Sequence, residues 1–342
     1  MHDRSGNIQT GSGSGWRRWL GIELVLTLLL CMELGIFSRT ATNFWTAQNF
    51  FEVLRLSVEI GLLAVAMTPV ILTGGIDLSV GSLLGLCAIC FGKLWRDAGL
   101  PPLVAGIATI GLGVGLGSLN GVLVTRLRLP PLIVTLGSFS LFRGFAEAIT
   151  KGVDNFTNFP ASFLFLGQGY LFGVIPAQLP VFMLVALAVW LLVHRTVIGR
   201  GLRAMGYSPE GALYAGLPVS SRLMWVYGLA GGVSALSALV YVAHVGQAKA
   251  DAGTGYELLA ITAVVLGGTS IFGGKGSVHG TLLGLAVLVV MKNGLILSDQ
   301  PGELVGIVTG VLLLTVLSGE LLMKFLSRKS EVRRRERLLK TR

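Results

Sequence analysis

The chain has 342 residues, 53% hydrophobic and only 13% charged, with a mean hydropathy of +0.76. A soluble domain carries about 25% charged residues, so a water-solvated globule is excluded and an all-α polytopic membrane protein is expected. The net charge of +10 does not read as nucleic-acid binding, because nine of the 27 Lys and Arg lie between Lys324 and Arg342, behind the last apolar run.

Residues 1–18 are polar and Gly/Ser-rich at their start, and are expected as a flexible cytoplasmic N-terminus. A membrane domain follows over 19–322, then a basic cytoplasmic tail over 323–342. About ten transmembrane helices are expected, near 19–38, 56–74, 78–95, 102–124, 131–149, 177–194, 222–244, 256–272, 278–296 and 303–322. With the N-terminus inside, most Lys and Arg fall on the inner side, so both termini are placed in the cytoplasm.

Residues 40–54 are not read as a span. Phe44, Ala47, Phe51 and Leu54 recur at helical spacing behind Asn43, a residue type suited to an N-cap, which predicts a short helix on the outer surface. Between the second and third spans stands Gly74-Gly75-Ile76-Asp77-Leu78-Ser79-Val80-Gly81. A buried carboxylate is costly in lipid, so Asp77 needs a surface, a cavity or a partner. The charge count puts this stretch at a cytoplasmic turn, where glycines serve the backbone and Asp77 or Ser79 caps the next helix. Lining of a path is the second reading. Cys87 and Cys90 lie in an apolar run without flanking ligands and read as small core residues, not a metal site.

The fourth segment carries Gly113, Gly117 and Gly121, two overlapping G-x-x-x-G motifs that let another helix approach closely. The contact is either static packing or a moving one beside a path, and Asn120 next to it either lines a cavity or bonds across helices. In the fifth segment Arg143 and Glu147 are four apart and can pair. The loop over 150–176 is the longest external stretch and a possible landing surface for a soluble partner. The cytoplasmic loop over 195–221 holds a short predicted helix. Ser208 suits its N-cap, Pro209 its first turn, Glu210 the N-terminal dipole and Gly216 its end. Docking onto another protein and stiffening of the loop are both open readings.

The stretch from Ala66 to Leu72, followed by Gly-Gly, echoes that from Ala260 to Leu266, and Gly81-Ser82-Leu83-Leu84-Gly85-Leu86 echoes the stretch from Gly280 to Leu285. Both read as helix–break–helix construction. Gly268 to Ser277 looks like a phosphate loop but has five residues where the P-loop needs four, and Gly276 follows Lys275, so no ATP site is encoded there. His2, His194, His244 and His279 are scattered and suggest no hydrolytic site. A proton-pump chain of carboxylates and histidines is missing too. The sequence shows a membrane path without a visible energy source, so no enzyme is expected and energy would come from a partner. A stand-alone secondary carrier or channel is the alternative.

The stretch Thr73 to Ser82 resembles the signature of the ribose/xylose/rhamnose/autoinducer-2 branch of ABC-importer permeases. The likeness continues through Leu119-Asn120-Gly121, Pro130 to Gly137, Phe142-Arg143-Gly144, Gly255 to Ile261, Gly267 to Ser270 and Gly273 to Ser277. It implies a type II ABC-importer-like permease in the bacterial plasma (inner) membrane. The implied partners are ABC ATPase subunits, a periplasmic sugar-binding protein and a second permease. The resemblance implies no directly bound cofactor, with ATP used by the partner. Ala204 to Leu217 resembles the family's coupling loop, which places Ser208, Pro209, Glu210, Ala212, Ala215 and Gly216 at the ATPase contact. For the translocation path the selected residues are Asp77, Ser79, Asn120, Thr135 and Arg143, and for helix packing Gly113, Gly117 and Gly121. The substrate class implied is a monosaccharide or a related small solute: a rhamnose-like deoxyhexose, a ribose-type pentose or autoinducer-2.

Overall fold

In lipid a backbone N–H or C=O has no water to turn to, so each apolar run satisfies its own backbone as a helix. The computed structural model describes residues 14–340. The first thirteen residues, and the side chains of the basic tail's lysines and arginines, lie outside the described residues. The order is α1 (Ser14–Thr40), α2 (Ala47–Leu72), α3 (Val80–Arg96), α4 (Pro102–Arg126), α5 (Pro131–Thr150), α6 (Ala161–Gln168), β1 (Tyr170–Leu171), β2 (Ile175–Pro176), α7 (Leu179–Arg195), α8 (Val197–Tyr207), α9 (Pro209–Tyr214), α10 (Val219–Val245), α11 (Tyr256–Leu266), α12 (Val278–Leu297) and α13 (Glu303–Lys340). The two short strands pair antiparallel as a hairpin.

Six of these helices are long and apolar enough to cross a membrane: α2, α4, α5, α10, α12 and the first twenty residues of α13. They become seven if α7 and α8, bent by 69° at Thr196, count as one. The expected eighth segment, 256–272, is only the eleven-residue α11, because Gly267 and Gly268 end it early.

Apolar residues on every face require burial on every face, and α2 meets that requirement. Val58 to Leu72 is buried without interruption, packed by α10, α11, α12 and α7. By contrast α13 leaves almost none of its apolar span fully buried. The most extensive helix pair is α4 with α10.

The expected surface helix over 40–54 is corrected. Asn43 has φ 57° and does not cap; Thr46 takes that position, its hydroxyl accepting from the Asn49 N–H. No Gly or Pro interrupts the chain from Ala47 to Ile60, and Glu52 meets Arg55 one turn on at 3.9 Å. The stretch therefore runs unbroken into the second span as one helix.

Candidate functional site

The turn between α2 and α3 lies where α3, α4 and α5 converge. Asp77 is 2% exposed, and its Oδ1 accepts from both the N–H (2.9 Å) and the hydroxyl (2.6 Å) of Ser79. Asn120 on α4 donates to the Ser79 hydroxyl at 3.0 Å, and Ser138 on α5 donates to the Asn120 carbonyl oxygen. Thr135, one turn before Ser138, donates to the Ile76 carbonyl at 3.1 Å. Asp77, Ser79 and Asn120 thus form one buried thread that continues to Ser138, which the sequence reading passed over, and Thr135 ties α5 to the same turn through the Ile76 carbonyl. Ser79 stands at the N-cap of α3 but makes no side-chain cap bond: its hydroxyl donates to Asp77 and its oxygen accepts from Asn120 instead.

Arg143 stands apart from this thread. Its expected partner was Glu147; instead it donates to the carbonyls of Ala250 and Ala252, the latter at 3.1 Å, in the loop before α11. Gly85 of α3 lies against the same guanidinium and the same two carbonyls. Gly81, one turn earlier, lies against Gly253 and the Glu257 carboxylate. Two glycines on one face of α3 thereby make room for a loop backbone and two charged heads. Glu257 is 7% exposed, and among the described residues its Oε2 has no hydrogen-bond partner. Sequence reasoning missed Glu257, although it sits in the first turn of its helix, two residues after the N-cap Gly255 with its φ of 81°.

A second polar cluster was invisible because its members are far apart in sequence. Glu59 of α2 meets His244 of α10 at 2.8 Å and accepts from the Tyr256 hydroxyl of α11 at 3.1 Å. This pairs one of the four histidines with a carboxylate.

At the other end of the bundle the helix predicted over the 195–221 loop is α9. Ser208 caps it, accepting from the Gly211 N–H at 3.0 Å, and Pro209 opens it. Gly216 ends it with φ 77°, while the Leu217 N–H returns to the Ala212 carbonyl. Of α9, Ala212 is buried; Pro209, Glu210, Ala215 and Gly216 are exposed, as are Leu213, Tyr214 and the preceding Tyr207. Tyr207, Leu213 and Tyr214 thus form an exposed, largely apolar patch around a capped six-residue helix.

The end of α8 also touches both helix breaks. Gly206 lies against the Leu72 carbonyl and the Gly274 N–H, which bond each other at 2.8 Å. A Cβ on Gly273, whose φ is 82°, would fall 2.7 Å from the Gly74 N–H nitrogen and 2.8 Å from the Gly206 Cα. The two echoing helix–break–helix stretches therefore meet at their breaks, backbone on backbone, with α8 wedged against them. Higher up, the Thr68 and Thr281 hydroxyls bond at 2.9 Å. The third group selected from the sequence, Gly113, Gly117 and Gly121, faces α10: Gly113 and Gly117 lie on Gly231, and Gly121 on the Met224 backbone. Close packing of α4 on α10 follows from these small residues.

Apolar helices long enough to cross a membrane, packed around a buried polar thread, are the architecture of a multi-pass membrane protein. The family described as branched-chain amino acid transport system / permease component matches residues 49–317, and the chain belongs to it. It is 37% identical over 309 residues to the autoinducer 2 import system permease protein LsrD of Yersinia pestis (strain Pestoides F), covering 89% of this chain and 92% of that one. It is 36% identical, at the same coverage, to the protein of that name from Yersinia pseudotuberculosis serotype O:1b. No solved structure matches. The resemblance to the ribose/xylose/rhamnose/autoinducer-2 branch of ABC-importer permeases is thereby borne out.

Proposed function

We propose that this chain is the membrane-spanning permease subunit of an ATP-driven importer in the bacterial inner membrane. It spans about ten times with both termini cytoplasmic, and its solute is autoinducer-2 or a monosaccharide of similar size. The reading is carried by the joint at Gly206. An ATPase that docks on Tyr207, Leu213 and Tyr214 pushes on α8. Through backbone contact α8 bears directly on the turns at Gly74 and Gly273. The first of these turns carries Asp77 and so the polar thread of α3, α4 and α5.

The mechanism is a linkage between two states. ATP binding closes the ATPase pair, and the closure biases the helices toward one access direction. A loaded periplasmic binding protein prefers one of the two states at the outer face. Asp77, Ser79, Asn120 and Thr135 then hold the turn against α4 and α5, and Arg143 holds the outer loop against α3. Solute passes along a second permease subunit, without a tight site in this chain.

The test is reconstitution into liposomes with the ATPase, the binding protein and the partner permease. Uptake of autoinducer-2 or a pentose is expected only with all components and ATP inside. Movement of solute down its gradient through this chain alone would instead make it a carrier or channel.

A further inference from the structure

Glu257 and Arg143 sit on the glycine face of α3 without pairing. Gly81 and Gly85 are one turn apart, about 6 Å along that helix. The Glu257 Oε2 and the Gly253 carbonyl crowd the place that a Cβ on Gly81 would take; the Arg143 Nη1 and the carbonyls of Ala250 and Ala252 crowd that on Gly85. Arg143 serves both carbonyls with Nη1 alone, and its Nη2 is buried without a hydrogen-bond partner among the described residues. Backbone N–H groups of Gly255 and of Glu257 itself hold the carboxylate, but Oε2 has no partner either. Among the described residues neither side chain forms an ion pair. Of the carboxylates that act on Arg143, Glu257 acts most strongly, ahead of Glu147 and Asp251. An open donor and an open acceptor of opposite charge, buried one turn apart, carry a desolvation cost that pairing would offset.

The two heads belong to different bodies. Arg143 is on α5, which Ser138 ties to Asn120 of α4 and Thr135 ties to the turn before α3. Glu257 opens α11, whose other end, Gly267, rests on the Gly280 backbone and runs into the break at Gly273. Gly206 of α8 bears on that break. The eleven residues of α11 are thus a stiff rod of about 16 Å between the break and the loop that Arg143 holds.

We propose that Arg143 is a latch with two positions, the carbonyls of Ala250 and Ala252 in one and the Glu257 carboxylate in the other. In this structure it holds the loop against α3. Displacement of the break, passed along α11, lifts the loop carbonyls from the guanidinium. The guanidinium then swings across the one-turn gap to Oε2 of Glu257, and the ion pair keeps the loop from closing again. Gly81 and Gly85 leave its way clear of side chains. That the two positions are the two access states rests on the function proposed above; the hold of Arg143 on the loop does not.

The experiment is labelling of Ala252→Cys by a membrane-impermeant maleimide in the reconstituted complex, with Cys31, Cys87 and Cys90 replaced by alanine. Ala252 is 1% exposed, so labelling reads the opening of the loop. It is expected to be slow at rest and about tenfold faster with a non-hydrolysable ATP analogue, the factor for one charge-assisted hydrogen bond. Arg143→Met is expected to be about tenfold faster already at rest, by the same factor. Glu257→Gln is expected to stay slow at rest and to lose the acceleration, because the freed guanidinium has no anion to take it. A Glu257 that served only to hold the fold would speed labelling in both states. Glu147→Gln is expected to behave as the parent. Full acceleration in Glu257→Gln, slow labelling of Arg143→Met at rest, or no acceleration in a parent complex that takes up solute with ATP overturns the latch. Uptake by the parent complex, measured alongside, tests the proposed function separately, and the resting result for Arg143→Met stands without it.

Discussion

The two ends of the bundle are held by different means. At the α8–α9 end, Gly74, Gly206 and Gly273 touch through their backbones and leave no room for a side chain. At the opposite end, the loop between α10 and α11 also packs its backbone on Gly81 and Gly85 of α3, but it is fastened besides by side-chain and strand-like bonds. Arg143 donates to Ala250 and Ala252, and Phe156 and Ala248 exchange backbone bonds at 3.1 and 2.8 Å. A backbone joint has one geometry and passes displacement on. Hydrogen bonds from a long side chain can be traded for others at a net cost of about 1 kcal/mol each. The difference is the one that the function proposed above requires of a chain pushed at the α8–α9 end and opening at the other.

Breaking the joint is expected to have the largest effect. Gly206→Val places a branched side chain on the Leu72 carbonyl and the Gly274 N–H. We expect a loss of about 1–3 kcal/mol, the usual cost of overpacking, read as a lower unfolding midpoint in detergent. Uptake in the reconstituted complex should fall further than that loss of stability explains.

Cutting the thread comes second. Asn120→Ala removes the donor to Ser79 and the acceptor of Ser138 at once. Hydrogen bonds between membrane helices average about 0.6 kcal/mol, so two of them predict a loss of about 1 kcal/mol in the same measurement, with the helices still assembled.

The end at the α10–α11 loop separates two readings of one arginine. Glu147→Gln is expected to leave stability within about 0.5 kcal/mol and transport unchanged, because Glu147 does not pair with Arg143. Arg143→Met strips two carbonyls of their donor and is expected to reduce uptake several times more than Glu147→Gln does. Equal effects from the two would restore the ion pair.

Hydropathy made the long helices legible, and caps made α9 legible down to Ser208, Pro209 and Gly216. Both signals are local: a 3.6-residue period and a side chain reaching its own helix end. Asp77, Ser79, Asn120 and Thr135 stood out because polar groups in apolar runs are expensive. The thread from Asp77 through Ser79 and Asn120 to Ser138, and the tie of Thr135 to the same turn, depend on how three helices are set against each other, which no local pattern encodes. Arg143 and Glu147 show the limit directly. A spacing of four permits a pair, but carbonyls more than a hundred residues away took the guanidinium. Glu59 and His244 are 185 apart and met only through packing. Gly206 gave no sign at all, since the demand for a missing side chain comes from the backbones it touches. The surface helix expected behind Asn43 failed for a simpler reason: nothing in the sequence interrupts α2, and helices propagate until something stops them.

The most direct measurement of the coupling role is ATP hydrolysis by the reconstituted complex carrying Gly216→Pro. Proline holds φ near −65°, whereas Gly216 needs 77° and donates its N–H to Leu213. The spans are untouched, because nothing lies within 4 Å of a Cβ at this position. The account predicts normal insertion and assembly, with hydrolysis no longer raised by the loaded binding protein. Stimulation at the wild-type level would contradict it.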